Sequence, residues 1–370
     1  MDDQEVVSEG RPGVRVLLEE MVHRGASDLH LTVGAPPRLR IDGDLVDSRE
    51  KGILTPGDIL ALAHSILTEA QQQQFDNGHE LDFSFGIRGL SRFRGNCYKQ
   101  LGSAALALRR IPHEITPLEE LGLPPTVHKL AERSRGLVLV TGPTGSGKST
   151  TLAAMLDKIN RDRKGHIITV EDPIEFVHRH KSCTVNQREV GSDTRTFALA
   201  LKHALRQDPD VILIGEMRDP ETIAAALTMA ETGHLVLATL HTNSAAESIN
   251  RIIDAFPSHH QSQVRAQLAL VLEGVVTQTL LPRARGGGRV CAVEVMVCTP
   301  GIRALIRDEK IHQIQSLMQA GKKYGMQTLN DSLRQLYLRR EVQLKEAVRR
   351  SPDPAELLRA VGEPHGREVR

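Results

Sequence analysis

A chain of 370 residues is too long for one ordinary domain and long enough for two, and 40% hydrophobic with 25% charged residues is the balance of a soluble globular protein. The formal charge of +1 argues against an extended nucleic-acid surface, and 3% aromatic residues with no Trp argue against a base-stacking platform. No run of about 18 apolar residues occurs, and the opening MDDQEVVSEG lacks the apolar core of a signal peptide, so a cytoplasmic protein without a transmembrane segment is expected, at most docked on a membrane assembly.

Val14, Leu17, Leu18, Met21 and Val22 recur at helical spacing, and Gly25 closes that helix. Leu29 and Leu31 alternate as in a strand, and Leu39, Ile41, Asp42-Gly43 and Leu45 spell a hairpin. A second helix is expected from Asp58 to Thr68, followed by strands at Leu81–Ile87, Ser91–Gln100 and Ala104–Ile111. Together these make a small α+β domain over residues 1–112. Pro112, Pro117, Pro124 and Pro125 mark residues 113–133 as a linker.

Residues 134–361 alternate apolar runs with helical patterns. Leu137–Val140, Ile167–Val170, Val211–Ile214 and Leu235–Leu240 are short, continuous and rich in branched side chains, as central parallel strands are. Leu152, Leu156 and Ile159 share a helical face, as do Phe197, Leu201 and Leu205, and Asp219-Pro220 is a helix start. The alternation predicts an α/β sheet with crossover connections. Cys291 and Cys298 flank the strand-like run AVEVMV and read as buried thiols. None of the four cysteines forms a Cys-x-x-Cys pair that would suggest zinc or a redox dithiol. Past residue 300 the pattern turns mostly helical, and the polar tail at 362–370 is expected to be disordered.

One segment carries explicit chemistry. Gly142, Gly147, Lys148 and Ser149 meet the pattern Gly-x-x-x-x-Gly-Lys-Ser between the strand GLVLV and the helix TLAAMLDKIN. Gly142, Gly145 and Gly147 let backbone N–H groups curl around phosphates, with Thr144, Ser146 and Thr150 in the same loop. Lys148 would neutralise the β- and γ-phosphates, and Ser149 would ligate Mg²⁺. Such a site needs a carboxylate at a neighbouring strand end. Ile212-Leu-Ile-Gly215-Glu216 supplies Glu216, with Gly215 where an Asp is usual, and Glu171-Asp172-Pro173 follows another strand. Glu171 and Glu216 are both candidates for the general base, whereas Asp172 shapes a turn or joins them. His241 ends a fourth strand and suits γ-phosphate sensing; His234 stands at that strand's start.

The segments ASDLHL (26–31), GPTGSGKSTT (142–151), TVEDPIEFVH (169–178), NQREVG (186–191), GEMRDPET (215–222) and AETGHLVLATLHT (230–242) together resemble the PilT-type pilus retraction ATPases of the wider type II/IV secretion ATPase family. The resemblance spans nearly the whole chain. It implies a RecA-like P-loop C-terminal domain and a PAS-like N-terminal domain in a cytoplasmic homohexamer. That ring would turn ATP hydrolysis into pilin depolymerisation at an inner-membrane platform protein, and the resemblance leaves open a paralogous retraction ATPase as a second partner. By resemblance, Gly142 to Thr151 are the Walker A segment, Glu171 and Asp172 the aspartate box, Glu216 the Walker B glutamate, and His234 and His241 the histidine box. Arg92, Arg94, Arg109 and Arg110 fall where the family places arginines near nucleotide, with Arg109 aligning best.

Extension motors of the family are longer and carry an inserted Cys-x-x-Cys site; this chain has neither, which favours retraction. Gly301-Ile-Arg-Ala-Leu-Ile-Arg-Asp308 resembles the retraction signature AIRNLIRE and keeps Arg303 and Arg307, and Gly325-Met-Gln-Thr328 matches a second C-terminal motif. Leu108-Arg-Arg-Ile-Pro112 is similar to the accessory PilU type, whose P-loop usually differs. A nucleotide-gated scaffold with little hydrolysis and a nucleic-acid translocase are the rival readings. The intact Lys148, Ser149, Glu171 and Glu216 oppose the first, and the balanced charge opposes the second.

Overall fold

The computed structural model describes residues 13–112 and 114–362; the acidic N-terminal stretch and the tail from 363 onward lie outside the described residues. The chain divides into two compact units, one running to His113 and including Glu175–Val177, the other holding Glu114–Ile174 and the rest from His178.

In the first unit the order is α1 (Val14–His23), β1 (Asp28–Leu31), β2 (Arg38–Ile41), β3 (Asp44–Asp47), α2 (Pro56–His64), α3 (Glu69–Gly78), β4 (Glu80–Ile87), β5 (Ser91–Gln100) and β6 (Ser103–Ile111). Its six strands pair antiparallel in the order β3-β2-β1-β6-β5-β4. The β2–β3 turn takes φ of +51° at Asp42 and +97° at Gly43, the geometry that an Asp-Gly hairpin favours. The helix expected from Asp58 to Thr68 ends earlier, at His64, and a second helix follows it. Both starts are capping boxes, Thr55 with Asp58 and Thr68 with Gln71, so polar caps rather than apolar spacing place the break. Leu17, Leu18, Met21, Leu29, Leu39, Ile59, Phe75 and Phe93 form this unit's core.

The second unit opens with α4 (Pro125–Ala131), β7 (Gly136–Thr141), α5 (Lys148–Asp162), β8 (His166–Glu171), β9 (Thr184–Glu189), α6 (Phe197–Ala204), β10 (Val211–Ile214), α7 (Pro220–Glu231) and β11 (Leu235–Leu240). It continues through α8 (Ala245–Asp254), α9 (Ser258–Val271), β12 (Leu272–Pro282), β13 (Arg289–Val297), α10 (Pro300–Arg307), α11 (Ile314–Ala320), α12 (Leu329–Leu338), α13 (Leu344–Arg350) and α14 (Pro354–Val361). The sheet order is β13-β12-β7-β11-β10-β8-β9, parallel except for the β12–β13 pair. The four apolar runs of the sequence are β7, β8, β10 and β11, adjacent in the middle. Alternate residues of each pack on opposite faces: Leu137, Ile168, Ile212 and Val236 join Ile223, Ile249 and Leu268 on one side. Val138, Ile167, Val211 and Leu237 meet Leu152, Met155 and Leu156 on the other. Burial on both faces removes the polar alternation a half-exposed strand would show.

The expected linker of residues 113–133 is, from 114 onward, not a free one. Leu118, Leu123, Val127 and Leu130 bury themselves with Val138 and Met155, so α4 belongs to the second unit despite its proline-rich surroundings. β9 has a mixed, polar sequence because it is an edge strand, and β12 follows α9 without an intervening residue, so neither announces itself as an isolated apolar run.

The Gly325-Met-Gln-Thr328 segment has a structural account. Gly325 takes φ of +80°, and a Cβ there would lie 2.1 Å from Thr126 Oγ1, the hydroxyl that donates to Gly325 O at 3.0 Å. Met326 is buried, and Gln327 exchanges backbone hydrogen bonds with Val295 at 2.9 and 3.1 Å. Gly286 has a similar φ of +75° with nothing within 4 Å of a built Cβ. Gly325→Ala should therefore cost about 3 kcal/mol, against about 1 kcal/mol for Gly286→Ala. Chemical denaturation measures both; equal costs would show that the Thr126 contact does not matter.

Candidate functional site

β7 delivers the chain to residues 142–147, which turn into α5. Gly142 has φ of +137°, and a Cβ there would sit 2.3 Å from Gln278 O and 2.6 Å from Ser146 Oγ. The N-cap of α5 is Gly147, at φ of +93°, so no side chain caps the helix, and its first turn contains no acidic residue. The uncapped N–H groups and the positive end of a 15-residue helix face the loop together.

Lys148, the first residue of α5, is 9% exposed. Its Nζ curls back to donate to Gly142 O at 2.8 Å and Pro143 O at 3.2 Å. Burial pulls its ammonium below the ordinary lysine range, and the negative charge of Glu216 pulls the other way. Ser146 Oγ is buried without a hydrogen-bond partner. An uncapped helix start, a lysine held on weak carbonyl acceptors and an orphaned hydroxyl are what phosphate oxygens would satisfy. Thr144, Gly145 and Ser149 lie exposed on the loop and first turn, with Thr150 half-buried behind them. The exposed hydroxyl of Ser149 next to this cradle fits an Mg²⁺ ion, a cation that is held by few protein oxygens together with phosphates and water.

The carboxylates come from neighbouring strand ends. Register pairs Ile214 with Val170, so Gly215 stands opposite Glu171, and Glu216 projects one residue further. A Cβ at 215 would approach Glu171 Cα to 3.1 Å, so the position where an Asp is usual is closely packed against β8 here. Glu216 Oε1 accepts from Arg218 Nε at 2.7 Å and lies 3.4 Å from His241 Nε2. Burial pushes the Glu216 carboxyl up, but Arg218 and His241 outweigh it and hold the group below the usual carboxylate range. Glu171 is 7% exposed and accepts from Thr169 Oγ1 at 2.7 Å and Gln187 Nε2 at 3.3 Å. Asp172 is exposed before a cis peptide bond to Pro173 and adds negative charge near Arg218.

Thus Lys148, Glu216 and His241 gather at one edge of the sheet, with Glu171 beside them. His234 does not join them. It precedes β11, its backbone carbonyl accepts from Gly136 N at 2.9 Å, and its Nδ1 lies 2.9 Å from Met229 O. This is the sheet's opposite end, beside a cavity of about 400 Å³ also lined by His166, Cys183 and Asp210. A strand of six residues separates it from the loop, roughly 20 Å at 3.3 Å per residue. The sequence itself set His234 at the start of this strand; only the resemblance grouped it with His241, although the two bracket β11.

Three participants escape a residue-by-residue reading. Arg218 lies inside GEMRDPET but has no distinctive spacing, and Gln278 of β12 bonds Thr151 Oγ1 at 2.8 Å through Nε2 while its buried Oε1 has no partner. Gln187, from NQREVG, is the one whose motif could have flagged it.

In the first unit the cross-strand register sets Arg40, Asp28, Arg109, Arg94 and Ser84 in one row across the sheet. Arg109 Nε binds Asp28 Oδ1 at 2.7 Å while the arginine stays 69% exposed. Burial raises the Asp28 carboxyl, yet Ser27 and Arg109 bring it below its ordinary value. One carboxylate among three arginines leaves excess positive charge at Arg94, directly opposite Arg109. Arg92 donates to Ser84 Oγ at 2.8 Å, and Arg110 Nε is buried without a hydrogen-bond partner.

The family model of type II/IV secretion system proteins matches residues 11–287. The chain is 51% identical over 320 residues to the type IV pilus retraction ATPase PilT of Pseudomonas aeruginosa, covering 86% of this chain and 92% of that protein. It is 44% identical over 332 residues to the type IV pilus ATPase PilU of the same species, covering 90% and 87%. A crystal structure of the pilus retraction motor PilT with bound ADP superposes with a TM-score of 0.88 at 51% identity, covering 94% of this chain and 100% of that one.

Because a side chain at 142 meets a backbone carbonyl of β12, Gly142→Ala should deform the loop. Nucleotide affinity measured by calorimetry should fall about tenfold or more, equivalent to about 1.4 kcal/mol, with the circular dichroism spectrum unchanged. Undiminished affinity would remove this loop from the site.

Proposed function

The chain belongs to the type II/IV secretion system protein family and is a nucleotide-binding ATPase of the PilT type, and from that premise we propose that it acts as a homohexameric motor whose ATP hydrolysis powers type IV pilus retraction. The observation that carries the reading is the convergence of Lys148, Glu216 and His241 at the carboxyl edge of a parallel sheet. In this reading the loop N–H groups and Lys148 hold the β- and γ-phosphates, and Ser149 would help to hold Mg²⁺, which when bound would neutralise charge on the phosphate oxygens. Glu216, ionised at neutral pH, takes the proton of the attacking water. His241 reads the γ-phosphate and steers Glu216, and Glu171, tied by Thr169 and Gln187, orients rather than abstracts.

Retraction requires hydrolysis to move something. The arginine row of the first unit offers a cation for the nucleotide's phosphates, with Arg94 and Arg109 as its exposed members. A domain that brings such a charge to the γ-phosphate only when closed would tie turnover to domain rotation. We place the ring at the cytoplasmic side of an inner-membrane platform protein; no helix among the described residues is long and apolar enough to cross a membrane. The greater identity to PilT than to PilU favours the principal motor over an accessory one.

Lys148→Ala and Glu216→Gln should each lower kcat by about 100-fold or more, measured as phosphate release by the purified protein. A strain lacking the gene should be hyperpiliated and non-twitching, and neither variant should restore twitching. Full turnover by Glu216→Gln would reject the assignment of the base. The pH profile separates the two carboxylates. Arg218 stabilises ionised Glu216, so Arg218→Ala raises that carboxyl's pKa, and the acidic limb of kcat/KM should move to higher pH. An unmoved limb would pass the base role to Glu171.

A further inference from the structure

Glu294 is a buried carboxylate that nothing in the proposed chemistry uses. It lies in β13 opposite Thr277 and is 4% exposed. Burial pushes its carboxyl above the ordinary range, and two backbone groups oppose that: Ala245 N donates to Oε1 at 2.8 Å, and the backbone of Leu329 is a second hydrogen-bonding partner. Ala245 is the first residue of α8 and Leu329 the first of α12. One side chain therefore ties together the starts of two helices that are 84 residues apart in sequence (329 − 245).

Each helix start is bound to something else. On the α8 side, the turn after β11 runs His241, Thr242, Asn243, Ser244. Thr242 Oγ1 meets Ser248 Oγ at 2.6 Å, Ser248 Oγ donates to Ser244 O at 2.7 Å, and Asn243 N donates to Glu247 Oε2 at 2.7 Å. The turn that carries His241 is thus fastened to the first turn of α8. On the α12 side, the segment 325–332 grips β13 on both sides of Glu294. Gln327 pairs with the backbone of Val295 and donates Nε2 to Val293 O at 2.7 Å, while Val293 N donates to Ser332 Oγ at 3.0 Å.

We propose that Glu294 is a positioning residue for His241, fixing the His241 turn through α8 to the same anchor that holds the Gly325–Thr328 segment and α12. An apolar residue would fill this place without reading either helix start, whereas a carboxyl group bonds to both and so couples their positions. The C-terminal helices thereby acquire a line to the γ-phosphate end of the site. The inference rests on the reading of His241 as a participant in ATP hydrolysis.

A double-mutant cycle on the full-length protein tests it. Glu294→Gln keeps the shape but sets an amide N–H₂ against one of the two donors. It should lower kcat about fivefold with the KM for ATP changed by less than about twofold. In a His241→Ala background the same substitution should leave kcat unchanged, while it lowers the unfolding midpoint equally in both backgrounds. Independent, multiplicative losses of kcat, or no loss in the native background, would overturn the proposal and leave Glu294 a staple of the fold. If His241→Ala alone does not lower kcat, the reading of His241 fails first and this inference with it. Should Glu294→Gln not fold, Ser248→Ala cuts the same line at the other side of the α8 start. It must show the same loss of kcat, absent in the His241→Ala background; an additive loss there overturns the proposal as well.

Discussion

The arrangement of the second unit turns on how one positive charge is kept at the end of β7. Lys148 is nearly buried, with two backbone carbonyls as its hydrogen-bond acceptors among the described residues. Desolvating an ammonium is costly unless opposite charge is near. Glu216 supplies that charge from β10, and phosphate oxygens would supply more. Much of the local geometry follows: a glycine turn tight enough to touch β12, a helix start left uncapped, and a strand end that presents a carboxylate towards the lysine.

The carboxylate has its own constraint. Glu216 sits, partly exposed, between Arg218 and His241 rather than in an apolar pocket, and they hold it below the usual carboxylate range. Glu171 shows the contrasting solution: deeper, and occupied by a hydroxyl and an amide. Two acidic side chains on adjacent strand ends thus acquire different environments, the physical basis for giving them different work. The close approach of Gly215 to Glu171 Cα explains how the strands come near enough for both to face one site.

The first unit is organised by a different balance. A row of three arginines and one aspartate crosses an antiparallel sheet, and like charges stand directly opposite at Arg94 and Arg109. Such a pairing is unfavourable within the unit alone. Asp28 offsets part of it by pairing with Arg109. The retraction-signature arginines separate in the same spirit. Arg303 is consumed by structure, donating to Ala269 O and Leu270 O at the end of α9 and pairing with Glu273 at 2.7 Å. Arg307 stays 62% exposed with Asp308 as its neighbour.

By itself the sequence determined the features that depend on local chemistry. The Gly-x-x-x-x-Gly-Lys-Ser spacing, four doubly buried strands, the Asp-Gly hairpin and the Asp219-Pro220 helix start are legible because backbone conformation and burial write directly into residue type. So are Glu216 and His241, since each follows an apolar run that fixes its end of the sheet. Tertiary structure alone decided the rest. It folded the proline-rich stretch 114–133 onto β7 and α5, and brought Gln187, Arg218 and Gln278 to the site. It also joined Glu294 to the starts of α8 and α12. These outcomes rest on contacts between segments far apart in sequence, where hydrogen-bond partners are chosen by how strands and helices pack.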